Sequence, residues 1–403
     1  MIGKRLTHDS LSVFYVLSDP FYNRIMRIGF DCRLPYYRLG GISQYILHLL
    51  PALATADTSD QFTLFHSRKD PHSYVPQNAA NFMRKNLWTP CHHWLERWSL
   101  TAELLPHQLD VWHSPDFIPP QHGAHRHIIT IHDLNFIFYP QFLTSESRRY
   151  YEDQIQWAVT NADHISADSH ATRHDLIEQL AVAPDKVTTV HLAANPIYTK
   201  PYVETAVQET LRRYHLSPGF ILSVGTLEPR KNLPMLIHAY RLLLQETAVD
   251  VPLILVGGKG WIYDEIFATI DKLGLREHVH HLEGVYDEQL AHLYHAAGVL
   301  VTPSHYEGFG LPALEAQHCG CPVIVSNRGS LPEIVGPKGI TLDPDDVELW
   351  AKTIRLVLDN QELRERLITQ GFQQARQFSW EKAARATLHL YHGTSADELT
   401  IDN

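Results

Sequence analysis

Short apolar runs alternate along the chain with longer stretches in which apolar residues recur every three or four positions. A strand covered on both faces forms a short continuous apolar run, whereas an amphipathic helix shows the longer period. The first series of predicted strands covers residues 27–32, 62–66, 110–113, 127–131, 163–167 and 187–192. The second series covers residues 220–224, 252–256, 279–282, 299–303, 322–326 and 340–343. This alternation predicts an α/β protein with two doubly wound parallel sheets.

The same pattern predicts helices and a division into domains. The predicted helices cover residues 42–55, 145–161, 170–181, 346–358, 361–376 and 379–392, and Ser379 is the expected N-cap of the last one. The proline-containing segment 193–201 has the composition of a linker. We therefore predict an N-terminal extension (1–25), a first domain (26–195), a second domain (196–378) and a C-terminal helix with its tail (379–403).

Composition and charge exclude several classes of protein. The chain of 403 residues carries a net charge of −11, which disfavours nucleic acid as a partner. The four cysteines are scattered, as is usual in a reducing compartment, and no apolar run reaches the length of a membrane span, so we expect a cytoplasmic protein. The cluster Cys91, His92 and His93 has no further ligands at the spacing of a zinc site, and no metal is expected.

The segment YEGFGLPALEA (306–316) follows a predicted buried strand and is the strongest candidate site. Glu307 falls on the loop between strand and helix, and Glu315 falls in the first turns of the helix. Glycines permit a close approach of the backbone to a ligand, and a helix N-terminus attracts a diphosphate. Carboxylates at this place can bind sugar and ribose hydroxyls. The alternative is a solvated Glu307 and a Glu315 that complements the helix dipole.

A second segment, VGTLEPRKN (224–232), also joins a strand to a helix. Arg230 and Lys231 lie near the start of that helix, where the dipole disfavours cations unless an anion is nearby. Together they can neutralise the charge that grows on a departing diphosphate, in place of a metal ion. The alternative is an exposed pair of cations on a solvated turn.

The first half of the chain contributes weaker signals. Gly40 and Gly41 lie between the first strand and its helix and can admit a phosphate or a sugar, although such glycines more often serve the turn itself. His132 follows a predicted strand and is expected in a cleft between the domains. The glycine fingerprint of a nicotinamide-dependent dehydrogenase, an alternative with the same architecture, is absent from the sequence.

Four motifs together resemble a known enzyme family: VGTLEPRKN, GGKGW (257–261), PSHYEGFGLPALEA (303–316) and SNRGSLPEIVG (326–336). In this order they resemble the GT-B fold glycosyltransferases of family 4, and particularly the bacterial mannosyltransferase-like branch. The resemblance covers residues 26 to about 392. It implies two Rossmann-like domains that face a central cleft, the first (26–195) on the acceptor side and the second (196–378) binding the nucleotide sugar, with a last helix that crosses back to the first domain.

The resemblance also implies roles for individual residues. Glu307 matches a residue that touches the donor sugar, Glu315 matches one that holds the ribose, and His132 matches the cleft histidine. The remaining matches are Arg230, Lys231, Gly40 and Gly41 for the donor diphosphate, Phe309, Gly310 and Leu311 for the sugar, and Val285 and Asp287 near the base. Thr226 replaces the arginine that commonly follows this glycine in the family, so Arg230 must supply the guanidinium.

The implied reaction is a transfer of a hexose, with retention and without a metal or other cofactor, from a nucleotide-sugar donor to a saccharide or lipid-linked acceptor. GDP-mannose is the expected donor. The alternatives are a UDP-hexose-dependent transferase, and a sugar-nucleotide epimerase or a glycan phosphorylase of the same fold.

Residues 82–98, FMRKNLWTPCHHWLERW, combine cations with tryptophans, a mixture that suits the interface between an anionic membrane and water. One interpretation is therefore peripheral contact with the inner membrane face. The other is a partly buried helix whose tryptophans face the core, because aromatic stripes usually serve packing.

Overall fold

A computed structural model of the protein describes residues 24–37, 40–142, 145–246 and 251–393. The predicted N-terminal extension (1–25), except for its last two residues, and the tail beyond residue 393 lie outside the described residues. Within the described part of the chain, no helix is both long enough and apolar enough to cross a membrane.

The first sheet has seven strands in the order β3-β2-β1-β4-β5-β6-β7. They are β1 (Arg27–Asp31), β2 (Gln61–Ser67), β3 (Phe82–Leu87), β4 (Leu109–Ser114), β5 (Ala124–Ile131), β6 (His164–Ala167) and β7 (Val187–Thr189). Parallel pairing joins β1 to both β2 and β4, with Ile28 beside Phe62 on one side and Val111 on the other. The chain thus runs outward from β1 to β3 and then returns to β4 on the other side of β1.

The second sheet repeats this arrangement with six strands in the order β10-β9-β8-β11-β12-β13. They are β8 (Ile221–Val224), β9 (Leu253–Val256), β10 (Val279–Leu282), β11 (Val299–Thr302), β12 (Val323–Ser326) and β13 (Ile340–Leu342). In each sheet the strand order reverses beside the first strand, between β1 and β4 and between β8 and β11. Ligands of open parallel sheets bind at the carboxyl ends of strands at such switch points.

Helices connect the strands. In the first half of the chain they are α1 (Leu34–Tyr37), α2 (Gly41–Ala56), α3 (Glu96–Leu104), α4 (Asn135–Phe138), α5 (Ser145–Asn161), α6 (His170–Leu180) and α7 (Glu204–Tyr214). In the second half they are α8 (Leu233–Glu246), α9 (Asp264–Lys272), α10 (Asp287–Ala296), α11 (Leu311–His318), α12 (Leu331–Val335), α13 (Val347–Asp359), α14 (Gln361–Ala375) and α15 (Trp380–His392). As predicted, Ser379 caps α15, since its hydroxyl accepts a hydrogen bond from the Lys382 amide at 3.2 Å.

All twelve predicted strands are confirmed, and β3 is an additional strand. The interpretation of residues 82–98 as a partly buried helix is wrong. Phe82–Leu87 form an edge strand and only the end of the segment is helical, while Trp88, Trp94 and Trp98 are 70%, 71% and 53% exposed. This strand pairs with β2, and its two end residues are apolar and buried, whereas Met83, Lys85 and Asn86 are exposed.

Contacts divide the chain into two compact units. Unit 1 comprises the described residues of Met1–Ile129, Asn161–His164 and Ala384–Asn403, and unit 2 comprises those of Thr130–Thr160 and Ile165–Ala383. The core of unit 2 includes Ile221, Leu255, Val301 and Ile324 from four neighbouring strands and Trp350 from α13. The domain boundaries predicted from the sequence remain a prediction.

Candidate active site

Glu307 lies on the loop after β11, buried among cations. Its Oε1 accepts hydrogen bonds from Lys231 Nζ and Ser304 Oγ, both at 2.6 Å, and its Oε2 accepts one from Arg230 Nη1 at 2.7 Å. Burial alone would raise the pKa of this carboxyl, but the charges of Arg230 and Lys231 outweigh it and lower the pKa to about 2. Glu307 is therefore an ionised carboxylate with both oxygens engaged. The interpretation of a solvated Glu307 is wrong.

The two cations come from the loop between β8 and α8. Lys231 is 8% exposed, and Arg230 Nε also contacts Glu228 Oε1 at 2.7 Å. The alternative of an exposed pair on a solvated turn is therefore wrong. The positive end of the helix dipole repels these cations, and the nearby carboxylates of Glu228 and Glu307 offset that repulsion.

The GGKGW segment (257–261) is hydrogen-bonded through its backbone to the loop between β8 and α8. The Leu227 amide donates to the Gly258 carbonyl at 2.9 Å, and the Gly260 amide donates to the Leu227 carbonyl at 3.0 Å. Gly257 has a φ of +148°, and a side chain there would collide with the backbone of Gly225. The close approach of the two backbones explains why position 257 is a glycine.

A small recess opens beside these charges, at the switch point of the second sheet. Its lining includes Ser223 near the end of β8 and Gly225 just after it, Thr302 at the end of β11 and Ser304 on the following loop, and Lys231. These residues stand where the carboxyl ends of β8 and β11 meet, which is the place the fold favours for a ligand.

The segment Phe309–Leu311 leads into α11. Gly310 is the N-cap with a φ of +96°, a left-handed conformation that favours glycine. Ser330 Oγ donates to the carbonyl oxygen of Phe309 at 2.7 Å and lies 3.0 Å from that of Glu307, so the start of α12 fixes the loop. The start of α11, with its free N–H groups, thus follows the Glu307 loop on a backbone that Ser330 holds in place.

Glu315 lies one turn further along α11, as the sequence predicted. Its Oε2 accepts a hydrogen bond from the Tyr294 hydroxyl at 2.9 Å. Burial raises the pKa of Glu315 to about 7, and the negative charge of Asp287 adds to this shift, although the Tyr294 hydrogen bond opposes it. The two glutamates of one motif therefore differ in protonation at neutral pH.

The expected base-side residues lie at the N-terminus of α10. Asp287 is the first residue of the helix, and its carboxylate accepts hydrogen bonds from Asn195 Nδ2 at 3.0 Å and from the Tyr198 hydroxyl at 3.4 Å. Val285 is partly buried in the preceding turn. Both residues are accessible, and a role in base binding remains a prediction.

His132 follows β5 and belongs to unit 2 together with the Glu307 loop. Its Nδ1 lies 2.6 Å from Asp168 Oδ2, and Asp168, directly after β6, is 2% exposed. The sequence analysis missed Asp168, although β5 and β6 are neighbours in the sheet and place their following residues side by side.

A glycine brings His132 and the Glu307 loop together. A side chain on Gly308 would collide with the carbonyl oxygen of His132. Ser169 Oγ donates to the Gly308 carbonyl at 2.7 Å and Thr172 Oγ1 to the same oxygen at 3.2 Å. Unit 2 therefore gathers the predicted residues His132, Arg230, Lys231 and Glu307.

Gly40 and Gly41 belong to unit 1. Gly40 precedes α2 in an extended conformation, and Gly41 is the first residue of the helix. A side-chain carbon on Gly41 would meet nothing within 4 Å, so the space in front of this loop is open. The backbone does not require glycine here, and the predicted role toward a donor phosphate remains a prediction.

Comparisons with known proteins agree with this architecture. Residues 39–196 match the family described as Glycosyltransferase Family 4, and residues 209–374 match the Glycosyl transferases group 1. The chain is 34% identical over 381 residues to the O-antigen chain mannosyltransferase B of Escherichia coli, an alignment that covers 91% of this chain and 99% of the relative. It is 31% identical over 244 residues to the serotype-specific mannosyltransferase WbdA of Escherichia coli, covering 60% of this chain and 30% of that protein.

Among solved structures, the sucrose-phosphate synthase of Thermosynechococcus elongatus superposes with a TM-score of 0.72 at 22% identity, over 91% of this chain and 98% of the other. This likeness identifies the fold as GT-B, which the sequence motifs predicted. With two family matches and a relative aligned over nearly its whole length, the chain belongs to the family 4 glycosyltransferases, in their bacterial mannosyltransferase-like branch.

Proposed function

We propose that the protein is a retaining, metal-independent hexosyltransferase that moves mannose from GDP-mannose to a hydroxyl of a saccharide or lipid-linked saccharide in polysaccharide biosynthesis. The observation that carries this proposal is the buried cluster of Arg230, Lys231 and Glu307 at the switch point of the second sheet. The nucleotide sugar is a cosubstrate, and the proposal needs no further cofactor.

The cluster suits the departing diphosphate. Of the Arg230 donors, Nε contacts Glu228 and Nη1 contacts Glu307 and the Tyr306 carbonyl, while Nη2 has no partner among the described residues. Lys231 Nζ likewise has one described partner for its three protons. These remaining donors can bind phosphate oxygens, and the cations can offset the charge that develops when the donor bond breaks.

The state of Glu307 supports a front-face reaction. A retaining enzyme with a covalent intermediate needs a carboxylate that attacks the anomeric carbon. Glu307 is a poor nucleophile, because two cations and a hydroxyl hold its oxygens. In the proposed reaction the bond from the anomeric carbon to the phosphate oxygen breaks, the acceptor oxygen bonds to that carbon on the same face, and its proton passes to the leaving phosphate.

The choice of GDP-mannose rests on the two curated relatives, both of which are named mannosyltransferases. A ligand that binds only the folded state raises the melting temperature. We expect GDP to stabilise the protein and UDP to have a much smaller effect, and NMR of the product to show the anomeric configuration of the donor. Stabilisation by UDP alone would favour the UDP-hexose alternative, and an inverted product would refute retention.

The exposed tryptophans favour a second element of the proposal, a peripheral contact with the inner membrane face. Trp88, Trp94 and Trp98 are all more than half exposed, and the Arg68 guanidinium lies 3.6 Å from the Trp88 ring centre. Exposed tryptophans beside cations suit the lipid headgroup region. We call Trp88, Trp94 and Trp98, together with Arg68 and Arg97, whose guanidinium groups lie over the Trp88 and Trp98 rings, the tryptophan patch.

Cosedimentation with vesicles containing an anionic lipid tests this contact. Wild type should bind at low salt, and a Trp94→Ala, Trp98→Ala variant should bind much less, because each tryptophan contributes buried apolar area and the cations contribute attraction. Tyr202→Ala, which removes an exposed aromatic side chain from unit 2, is the control. If the wild type does not bind the vesicles, the proposed membrane contact is refuted, and the acceptor is then expected to be soluble.

A further inference from the structure

Two histidines and one glutamate form a further cluster within unit 2. His170 is the first residue of α6, His191 follows β7, and Glu333 lies in the short helix α12. One nitrogen or oxygen atom of each side chain lies within 4.8 Å of those of the other two. Because Glu333 is 142 residues from His191 in the chain, spacing along the sequence gave no signal of this cluster, and no metal was expected.

Glu333 is at the centre of the cluster. Its Oε1 accepts a hydrogen bond from His191 Nε2, and its two oxygens lie 3.2 and 3.1 Å from the backbone amide of His170. The side chains of His191 and Glu333 are 32% and 19% exposed, and His170 is exposed. The cluster is therefore accessible from solvent.

The two imidazole rings are neighbours. Their centres are 5.0 Å apart, with an angle of 88° between the ring planes. His170 Nδ1 lies 3.1 Å from Thr189 Oγ1, at the end of β7. A hydrogen bond to a neighbouring group commonly orients the ring of a metal-binding histidine.

Two imidazoles and one carboxylate are a ligand set that suits Zn²⁺, whereas Mg²⁺ prefers oxygen ligands. With bonds of about 2.0–2.1 Å to a tetrahedral Zn²⁺ ion, neighbouring ligand atoms lie about 3.3 Å apart. Because all three atoms already lie within 4.8 Å of one another, rotations of these accessible side chains can bring them to that spacing. The fourth position would be open to water.

The cluster lies beside the supports of the loop that leads into α11. Ser169, next to His170, donates a hydrogen bond to the Gly308 carbonyl at 2.7 Å. Ser330, the N-cap of α12, donates one to the Phe309 carbonyl at 2.7 Å. The starts of α6 and α12 thus both hold this loop, and an ion bound between the two helices would join its supports.

We propose that His170, His191 and Glu333 bind a divalent transition-metal ion of the Zn²⁺ class. The ion joins α6 to α12 and so fixes the loop before α11. It takes no part in the proposed transfer, and the proposal goes beyond that function. An ion that binds only the folded state stabilises it, so Zn²⁺ should raise the melting temperature of the protein.

Isothermal titration calorimetry of the full-length protein with Zn²⁺, after dialysis against EDTA and removal of the chelator, tests this proposal. His170→Ala, His191→Ala and Glu333→Gln each remove one ligand, and the exposed position of His170 makes the first variant the mildest for the fold. Each should weaken Zn²⁺ binding at least about tenfold, since loss of an outer partner alone costs about 10- to 100-fold. His174→Ala, at an exposed position on the same helix, is the matched control.

The expected result is one tight Zn²⁺ site in wild type and in His174→Ala, with a raised melting temperature, weaker binding by the three ligand variants, and no comparable binding of Mg²⁺. Hydrogen exchange of backbone amides 308–311 should slow when Zn²⁺ binds. Absence of a tight site in wild type, or equal binding by His170→Ala, would overturn the proposal. Loss of binding in Asp57→Asn would overturn it too, because the ion would then lie at another group of possible ligands, Asp57, Asp60 and His392. Melting temperatures without metal verify that each variant is folded.

Discussion

Lys231 and Glu307 are 76 residues apart in the chain, and Lys231 Nζ lies 2.6 Å from Glu307 Oε1. Both side chains are buried, and Arg230 completes the cluster on the other carboxylate oxygen. The pair therefore joins the loop after β8 to the loop after β11 across the switch point of the second sheet. A change at either residue should affect stability as well as donor binding.

Replacing Glu307 with glutamine should abolish transfer and also destabilise the protein by about 2–4 kcal/mol, because Arg230 and Lys231 would remain buried with one fewer anion. Urea unfolding and transfer assays measure the two effects. The folded pKa of about 2 lies below the ordinary value for glutamate, so this stabilisation is present above about pH 4.5 and is lost as the pH falls toward 2. Glu348→Gln, at an exposed site on α13, is the control and should change neither stability nor transfer activity. Wild-type turnover in Glu307→Gln would show that Glu307 is not an active-site residue.

Replacing Lys231 with alanine should weaken GDP binding about 10- to 100-fold, the effect of one lost charge-assisted contact to phosphate. Isothermal titration calorimetry measures it, with Lys352→Ala as a control at an exposed position. In the proposed reaction the protein cations take the part of a metal ion, so enzyme treated with EDTA should keep its transfer activity. An absolute requirement for added Mg²⁺ or Mn²⁺ would contradict this scheme.

GDP binding should release a proton from Glu315. Its pKa in the free protein is about 7, and ribose hydroxyls that donate to the carboxylate would favour the charged form and lower that pKa. At pH 7 about half a proton should leave on binding, and affinity should rise as the pH rises through 7. Calorimetry in buffers of different ionisation enthalpy measures the release, which Glu315→Gln should abolish. Equal release by this variant would assign the proton to another group.

Asp168 should act as a positioning residue for His132. Asp168 Oδ2 lies 2.6 Å from His132 Nδ1, and a carboxylate there favours the tautomer with its proton on Nδ1. Asp168→Asn should therefore lower kcat at least about tenfold while KM for the donor changes little. Histidine NMR should show a changed tautomer, and the pH profile of kcat should shift in the same variant. An unchanged profile with lower stability would indicate a purely structural role.

Much of the fold was predictable because its strands are continuous apolar runs. Val299–Thr302 and Leu253–Val256 are buried at every position, so the pattern alone places them. The edge strand Phe82–Leu87 was missed because its buried residues are the two at its ends, and three of the four residues between them are polar.

The site was predictable where residues are close in sequence and less so where the fold brings them together. Glu307 and Glu315 share one motif, but their different protonation depends on Lys231 and Tyr294, which come from other elements. Asp168 gave a signal only through its place after a strand, and its partner His132 is 36 residues away.

The contact between Gly308 and the His132 carbonyl limits how the enzyme can be recombined with its relatives. A side chain at position 308 would collide with that carbonyl oxygen. The backbone around Gly308 and the backbone after β5 must therefore be complementary in shape. A chimera joined within the linker at residues 193–201 would take one segment from each parent. Such chimeras should fold mainly when both parents have glycine at position 308 and the same backbone conformation after β5. The half of the chain that binds the donor is therefore difficult to exchange by itself.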